Sequence, residues 1–421
     1  MSVHKDYVWN TIAGIINAAE AVVMAMVTMR LGTIEEAGVL TVSFAVGNLL
    51  LTVGKFGAKV FHSTDIKKIF PYGVYLKERW ITVFAMALLM AVYVGMKTFD
   101  GVWSKGKALA VVFICCIYMV EAMEDCVWGE LQRNGRLYMG GQVFTARWAG
   151  ILSSFIATMA WKRDLVLSLG VAFVVSVLIF WFCLLLVHRN RHMLLAEEHI
   201  RNKADKEEVF SLLRQTIPFF LSSFCVMYLN NAPKFTIDRL LSDTEQACFG
   251  FVAMPVFVIA LLNQFVYQPY LVALSEEWNG RKMDLFRRRI RRQLAVLTGI
   301  SAVCVIGAAW IGIPVLSWIY NTDLSGYWNE LLVLQAAGFF LALSGYFTVI
   351  LTTMREGKKL LTGYIMTMVI SFVMMGKITE MYGTFGAAVG YMVLMMILCL
   401  YYVGAYFSIV KAGDSENGQM E

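Results

Sequence analysis

A few ionisable and amide side chains of this sequence lie inside stretches that are otherwise apolar, and their spacing follows one helix face. Asn10, Asn17 and Glu20 are seven and three residues apart; Ser223, Asn230, Lys234 and Asp238 are seven, four and four apart. Both patterns return to the same side of an α-helix. A charged group at the centre of a bilayer costs about 2.5–3.5 kcal/mol on insertion scales, so such residues ordinarily face a hydrated cavity. The other use of polar groups there is hydrogen bonding between helices. We read the two stripes as cavity walls. Lys234 then offers a fixed positive charge, or else forms an i,i+4 pair with Asp238. Pro233, beside it, is expected to break the helix and free backbone carbonyls, which is tolerated where a helix lines a cavity.

A second group gathers further along. Glu121, Glu124 and Asp125 end one apolar stretch, and Arg147 lies within the next. A lone buried charge is expensive, so Glu121 and Arg147 are expected to form an intramembrane pair. Glu20 has no evident partner in the sequence. Burial disfavours a charged carboxylate, which makes Glu20 the candidate for carrying a coupling proton. His188 and His192 are four apart but lie in a charged segment with no third ligand in view, so no metal site is expected. The basic segment from Arg281 to Arg292, RKMDLFRRRIRR, has the composition to orient the chain and touch anionic lipid, or else to guide an anionic lipid headgroup or pyrophosphate at the inner face.

These residues must be positioned by membrane-spanning helices. From Met381 to Val410 there is no charged residue, and Leu165–Val187, Gln246–Ser275, Gln293–Thr322 and Leu331–Met354 are also long apolar runs. Each exceeds the roughly 18 residues that mark a spanning helix. Strands of a membrane barrel would be about ten residues with alternating polarity, which these runs are not. The 421 residues are 59% hydrophobic and 16% charged, against about 25% charged in soluble domains. Uncharged runs give about twelve spans, near 8–29, 36–57, 80–97, 107–126, 140–161, 164–187, 213–236, 247–270, 294–318, 329–352, 360–378 and 384–409. The expected class is therefore all-α, a polytopic membrane protein.

With the N-terminus inside, about 26 Lys/Arg fall on the inner side and about nine on the outer side. This places both termini in the cytoplasm. The net charge of +6 is accounted for by that asymmetry and is no nucleic-acid signal. Glu20 interrupts the first apolar stretch and no small-residue cleavage site follows, so a cleaved signal peptide is not expected. The eight cysteines lie almost all in spans, without C-x-x-C, and read as small apolar fillers.

The most polar internal segment, His188–Arg214, divides the spans into two sets of six. We expect an N-terminal lobe at 1–190, a cytoplasmic linker at 191–212 and a C-terminal lobe at 213–421. Six is even, so both sets start on the same side, as in a parallel repeat. The turn after span one, RLGTIEEAG, has a counterpart after span seven, RLLSDTEQACFG. External loops are short, and the chain contains no P-loop, G-x-G-x-x-G or nucleophile motif. The chain is not expected to be an enzyme or to hold a cofactor.

Three segments carry a family resemblance. They are RLGTIEEAGVLTVSFAVGNLL with FGAKVFHSTD and YLKER, between Arg30 and Arg79; GELQRNGRL from Gly129; and NNAPKFTIDRLLSDTEQACFGFVAMP from Asn230. In this order and at these topological positions, the chain resembles the MOP superfamily in its polysaccharide-export, Wzx-type branch. The resemblance implies two six-helix lobes around a cavity that opens alternately to either side. It implies flipping of undecaprenyl-pyrophosphate-linked oligosaccharide across the cytoplasmic membrane for O-antigen or capsule synthesis. A polysaccharide polymerase and glycosyltransferases would be its functional partners. It also implies that Lys234, with Asn230 and Asn231, meets the diphosphate headgroup, with Asp238 and Asn17 on the cavity wall. Arg30 and Arg239 would sit at the outer mouth. Two alternatives stay open. A MATE-like, cation-coupled multidrug exporter would want acidic cavity residues, of which Glu20 is the main one. A membrane-embedded polysaccharide polymerase or ligase would want a large external loop, which is missing.

Overall fold

The computed structural model describes residues 2–65, 69–189, 206–267 and 270–417. His192 and most of the 191–212 segment lie outside the described residues. Among those described, every regular element is helical. Ten stretches are long and apolar enough to cross a membrane. The last of these, 357–411, is two helices meeting at Gly383, whose φ of 61° and ψ of −140° interrupt the α conformation. With Asp243–Tyr267, a further helix of 25 residues, the described residues hold twelve long helices, the number expected of the spans.

The chain divides into two compact units, 1–227 and 228–421. The N-terminal unit holds α1 (Ser2–Leu31), α2 (Ile34–Lys55), the short α3 (Ala58–Thr64), α4 (Tyr72–Phe99), α5 (Lys105–Arg133), α6 (Leu137–Lys162), α7 (Leu165–Arg189) and the first part of α8 (Lys206–Leu240). Its centre is α2, which is largely buried, whereas α4 and α7 are largely exposed. The outer helices present Phe84, Trp181 and Phe182 outward, more than half exposed, as helices facing acyl chains do. Trp148, Phe155, Tyr118 and Ile114 fill the interior.

The C-terminal unit holds the rest of α8, α9 (Asp243–Tyr267), α10 (Leu271–Asn279), α11 (Met283–Gly307), α12 (Ile313–Tyr320), α13 (Trp328–Thr353) and α14 (Gly357–Asn417). Phe286, Ile290, Tyr346, Phe347, Ile350 and Tyr402 form its core. A π-helical turn, Ala308–Gly312, joins α11 to α12 just before Pro314. The proline ring displaces the carbonyl one turn back, and widening the turn relieves the clash. The Ala309 carbonyl accepts from the Trp328 indole at 3.2 Å.

The two similar turns noted in the sequence share a local device. Thr33 and Glu36 form a capping box at the start of α2, Glu36 N–H donating to Thr33 Oγ1 at 3.2 Å and Thr33 N–H to Glu36 Oε2 at 3.0 Å. Ser242 and Glu245 do the same ahead of α9, at 3.2 and 3.0 Å. The shared S/T-x-x-E spacing is what two orphan N–H groups at a helix start require.

Two expectations need correction. Pro233 does not break its helix: α8 runs unbroken through Pro218 and Pro233, since a spanning helix tolerates one missing N–H when neighbouring groups absorb the freed carbonyl. Several helices also outrun their apolar cores, α4 starting at Tyr72 and α5 ending at Arg133. Helices continue past the hydrocarbon layer into the polar interface, where hydropathy no longer marks them.

Candidate functional site

On α5, Glu121, Glu124, Asp125 and Trp128 are spaced three, one and three residues apart, so all four share one helix face. That face borders a cavity of about 260 Å³ in the N-terminal unit. Asn10 and Asn17 of α1 line it opposite, with Lys55 from the end of α2 and Lys59 from α3. The stripe read on α1 therefore meets the acidic cluster of α5 in one polar chamber.

Lys59 reaches the chamber because the chain turns sharply between α2 and α3. Phe56 and Gly57 both take left-handed conformations, with φ of 46° and 67°. A Cβ on Gly57 would lie 2.7 Å from Cβ of Phe219, so both backbone angle and space call for glycine. The Phe56 and Phe220 rings stack beside it, 4.4 Å between centroids. One carbonyl of the last turn of α2 is satisfied by α4: Gly54 O accepts from Arg79 at 2.5 Å and from Thr82 at 2.9 Å.

The charges form a chain of alternating sign. Lys55 Nζ donates to Glu121 Oε1 at 2.9 Å. The other oxygen of Glu121 accepts from Arg147 Nη2 and from the Trp148 indole, both at 3.3 Å. Arg147, fully buried, donates from Nε to Glu124 at 2.7 Å and from Nη1 to Ser176 at 3.3 Å. Asp125 takes Lys59 at 3.2 Å and Arg79 at 3.4 Å. Lys59 also lies 3.8 Å above the Trp128 ring, a favourable cation–π distance. The carboxylates are nearly buried, whereas Lys55 and Lys59 are 33% and 30% exposed. The lysines thus form the wet surface of the chamber and the acids its wall.

Glu20 lies one turn deeper. It accepts a hydrogen bond at 2.8 Å from Tyr118 of α5, a partner 98 positions away. Its second oxygen is buried without a hydrogen-bond partner among the described residues. Beneath the chamber, His62 donates from Nε2 to Glu130 at 2.8 Å and stacks on Tyr75, centroids 3.8 Å apart. Burial holds the His62 imidazole below its ordinary value. The contact is therefore a neutral hydrogen bond to a carboxylate that Arg133 also holds, at 2.7 Å.

The residues singled out on α8 have other surroundings. In the C-terminal unit Lys234 borders a gap of about 20 Å³ between Phe249, Ala253, Val256, Leu334 and Tyr391, room for about one water. Asn230 accepts from the Tyr391 hydroxyl at 3.5 Å. Asn231 and Asp238 are buried, and Arg239 is exposed with its guanidinium against Gly376. Arg30 is exposed at the last turn of α1. Sequence reading grouped Glu121, Glu124 and Asp125 with Arg147 but missed Lys55 and Lys59 as members of the same chamber. Their four-residue spacing, Lys55 to Lys59 and Glu121 to Asp125, was the available signal.

No family model matches the chain. Over 346 residues it is 22% identical to the capsular polysaccharide biosynthesis protein CapF of Staphylococcus aureus, covering 82% of this chain and 83% of that one. Among solved structures it is similar to the lipid II flippase MurJ in an inward closed conformation, with a TM-score of 0.66 at 11% identity, covering 95% of this chain and 87% of that one. It is also similar to an inward-facing multidrug resistance MATE family transporter of the MOP superfamily, with a TM-score of 0.63 at 14% identity, covering 94% and 96%. Matched from end to end by both, this chain has the fold of the MOP-superfamily transporters.

Proposed function

We propose that the chain flips a lipid-linked oligosaccharide, of the undecaprenyl-pyrophosphate class, across the cytoplasmic membrane during surface-polysaccharide synthesis. It acts as a transporter by alternating access and catalyses no bond-breaking step. The observation that carries this reading is the N-terminal chamber. Its accessible charges are the two lysines and its amides are Asn10 and Asn17, while its carboxylates lie behind the lysines, Glu121 and Asp125 paired to Lys55 and Lys59 and all three acids held from within by Arg147 or Arg79. Such a wall suits a sugar or a phosphate better than an amphipathic cation. The likeness to a capsule-synthesis protein supports the same substrate class. The headgroup role of Lys234, Asn230 and Asn231 belongs to this proposal, and Arg30 and Arg239 are its exposed flanking cations.

The test is a strain whose surface polymer depends on this protein. Loss of the protein is expected to strand lipid-linked repeat units in the inner leaflet, out of reach of external enzymes. Accumulation on the outer leaflet would instead mean that polymerisation or ligation had been lost. Lys234→Ala is expected to reduce export at unchanged protein level; full export would remove Lys234 from headgroup binding.

One observation favours a second reading, a cation-coupled exporter. Glu20 keeps a buried oxygen with no hydrogen-bond partner among the described residues, and a carboxyl so placed suits reversible protonation. Glu20→Gln preserves the acceptor for Tyr118 and is expected to flatten the pH dependence of transport. A profile identical to wild type excludes Glu20 from coupling under either reading.

A further inference from the structure

The basic segment from Arg281 to Arg292 does more than carry charge. From Met283 onward it forms the first turns of α11, and α10 packs against that helix. Between them, in the C-terminal unit, lies a cavity of about 570 Å³. That is within the usual range for small-molecule sites, about 300–1,000 Å³. One of its arginines is already used. Arg289 grips both oxygens of Glu277, Nε at 2.9 and 3.0 Å, with its guanidinium 5.5 Å from the Tyr270 ring centre. Its neighbours are not used in this way. Arg288 and Arg292 line the cavity, four residues apart on one helix face, and neither has an ion pair or hydrogen bond among the described residues. Among the described residues, the cavity therefore presents two guanidinium groups without a counter-charge.

A second, independent feature points to a ligand. Gln293 lines the same cavity and is only 5% exposed. Its carbonyl accepts from the Tyr346 hydroxyl, while its Nε2 is buried with no acceptor among the described residues. An orphaned buried donor costs about 1–3 kcal/mol, and an oxygen entering the cavity would satisfy it.

The remaining wall is apolar. Leu285 and Val296 flank the arginines on the same face of α11, at 52% and 44% exposure, and Val303 and Ile306 continue outward at 70% and 57%. Two cations and an amide donor at the polar end of a spanning helix, with an apolar track leading into the bilayer, match an amphiphile with an anionic head. They match neither a soluble polyanion nor a bare acyl chain. We infer that this cavity is a binding site for an anionic phospholipid, its phosphate held by Arg288 and Arg292 and an ester or phosphate oxygen by Gln293. Its acyl chains lie along Val296 and Val303. Arg289, fixed by Glu277, holds α10 against α11 and so shapes the site. The site is separate from the charged chamber and does not depend on the transport reading.

The full chain, purified in detergent, is tested by native mass spectrometry against phosphatidylglycerol and phosphatidylcholine of identical acyl chains. Wild type is expected to retain phosphatidylglycerol preferentially. The R288Q/R292Q variant is expected to lose that preference by about thirtyfold, from two phosphate contacts. R281Q/R291Q removes the same charge from the same segment without touching the cavity wall and is expected to keep the preference to within about threefold. Equal loss in both variants would overturn the site in favour of diffuse attraction. Soluble glycerol phosphate displacing the lipid at equal concentration would overturn the lipid assignment in favour of a free phosphate. Because both arginines are exposed, folding is checked by thermal unfolding. As a second variant, Q293L is expected to weaken phosphatidylglycerol retention with the charges intact, and unchanged retention would remove Gln293 from the site.

Discussion

At the scale of single residues, Arg147 holds the N-terminal unit's interior together electrically. Its guanidinium is fully buried and serves Glu121, Glu124 and Ser176 at once. Removing one partner of a buried ion network leaves charge without compensation, which costs about 3–5 kcal/mol. Arg147→Met is therefore expected to lower the thermal stability of the detergent-solubilised protein by that order. Adding Glu121→Gln and Glu124→Gln should recover much of the loss, because the stranded charges are gone. If the single variant is as stable as wild type, the network is not the compensated one described here. The pairing of Glu121 with Arg147 was legible in sequence because both stand in apolar runs, where charge is costly enough to need a partner. Lys55 and Lys59 were not, because a lysine at a helix end reads equally well as a solvated loop charge. Nor was the Glu20–Tyr118 hydrogen bond, since a tyrosine among many apolar residues announces nothing about where its hydroxyl points.

At the scale of elements, short α3 is docked on α5 through His62. The ring lies between Tyr75 of α4 and the α5 backbone, and a Cβ on Gly129 would come within 2.7 Å of its Nδ1. This close approach gives a physical reason for the glycine that opens the GELQRNGRL segment. The charged and titratable groups facing the ring are Glu130 and Arg133 of α5, with Arg79, Tyr72 and Tyr75 of α4. Burial, the largest influence, depresses the imidazole below its ordinary value of 6.5, and Glu130 only partly opposes it. The unfolded chain then binds the proton more tightly than the folded one. His62 thus contributes stability that is complete above about pH 6.5 and is lost as pH falls through the lower folded value. Wild type is expected to lose thermal stability between pH 7 and pH 5 more steeply than His62→Gln, which keeps an N–H for Glu130. Parallel slopes would mean that α3 docking is insensitive to this proton. Neither α3 nor α10 was legible in the sequence, because a helix of seven or nine residues at the interface lacks the long apolar run that marks a span. The twelve long helices were legible for the opposite reason: their apolarity is fixed by the bilayer, whatever their packing partners.

At the scale of the whole molecule, the sequence carries information that the helices alone do not, namely which side faces the cytoplasm. Alternate connections differ about threefold in Lys/Arg content, about 26 against nine. The basic loops include the ends of α2 and α5, the segment before α8, the α10–α11 turn and the connection before α14. The poorer ones include the Arg163–Asp164 turn and the Asn321–Leu324 turn, where Asp323 is fully exposed and held below its ordinary value by the Ser325 N–H. Lysine and arginine resist translocation, so the rich side is expected to be cytoplasmic and both termini with it. This assignment has a chemical consequence for the proposed transport. The end of α5 that carries the charged chamber, with Lys55, Lys59 and the acids behind them, then lies toward the cytoplasm, where lipid-linked sugars are assembled. The prediction is checked with single cysteines at two exposed turn positions, Arg163→Cys and Lys358→Cys, in a background lacking the native cysteines. A membrane-impermeant maleimide is expected to label position 163 in intact cells and position 358 only after permeabilisation. The reverse pattern would place the chamber at the outer face, and loading from the cytoplasmic leaflet would then have to begin elsewhere in the protein.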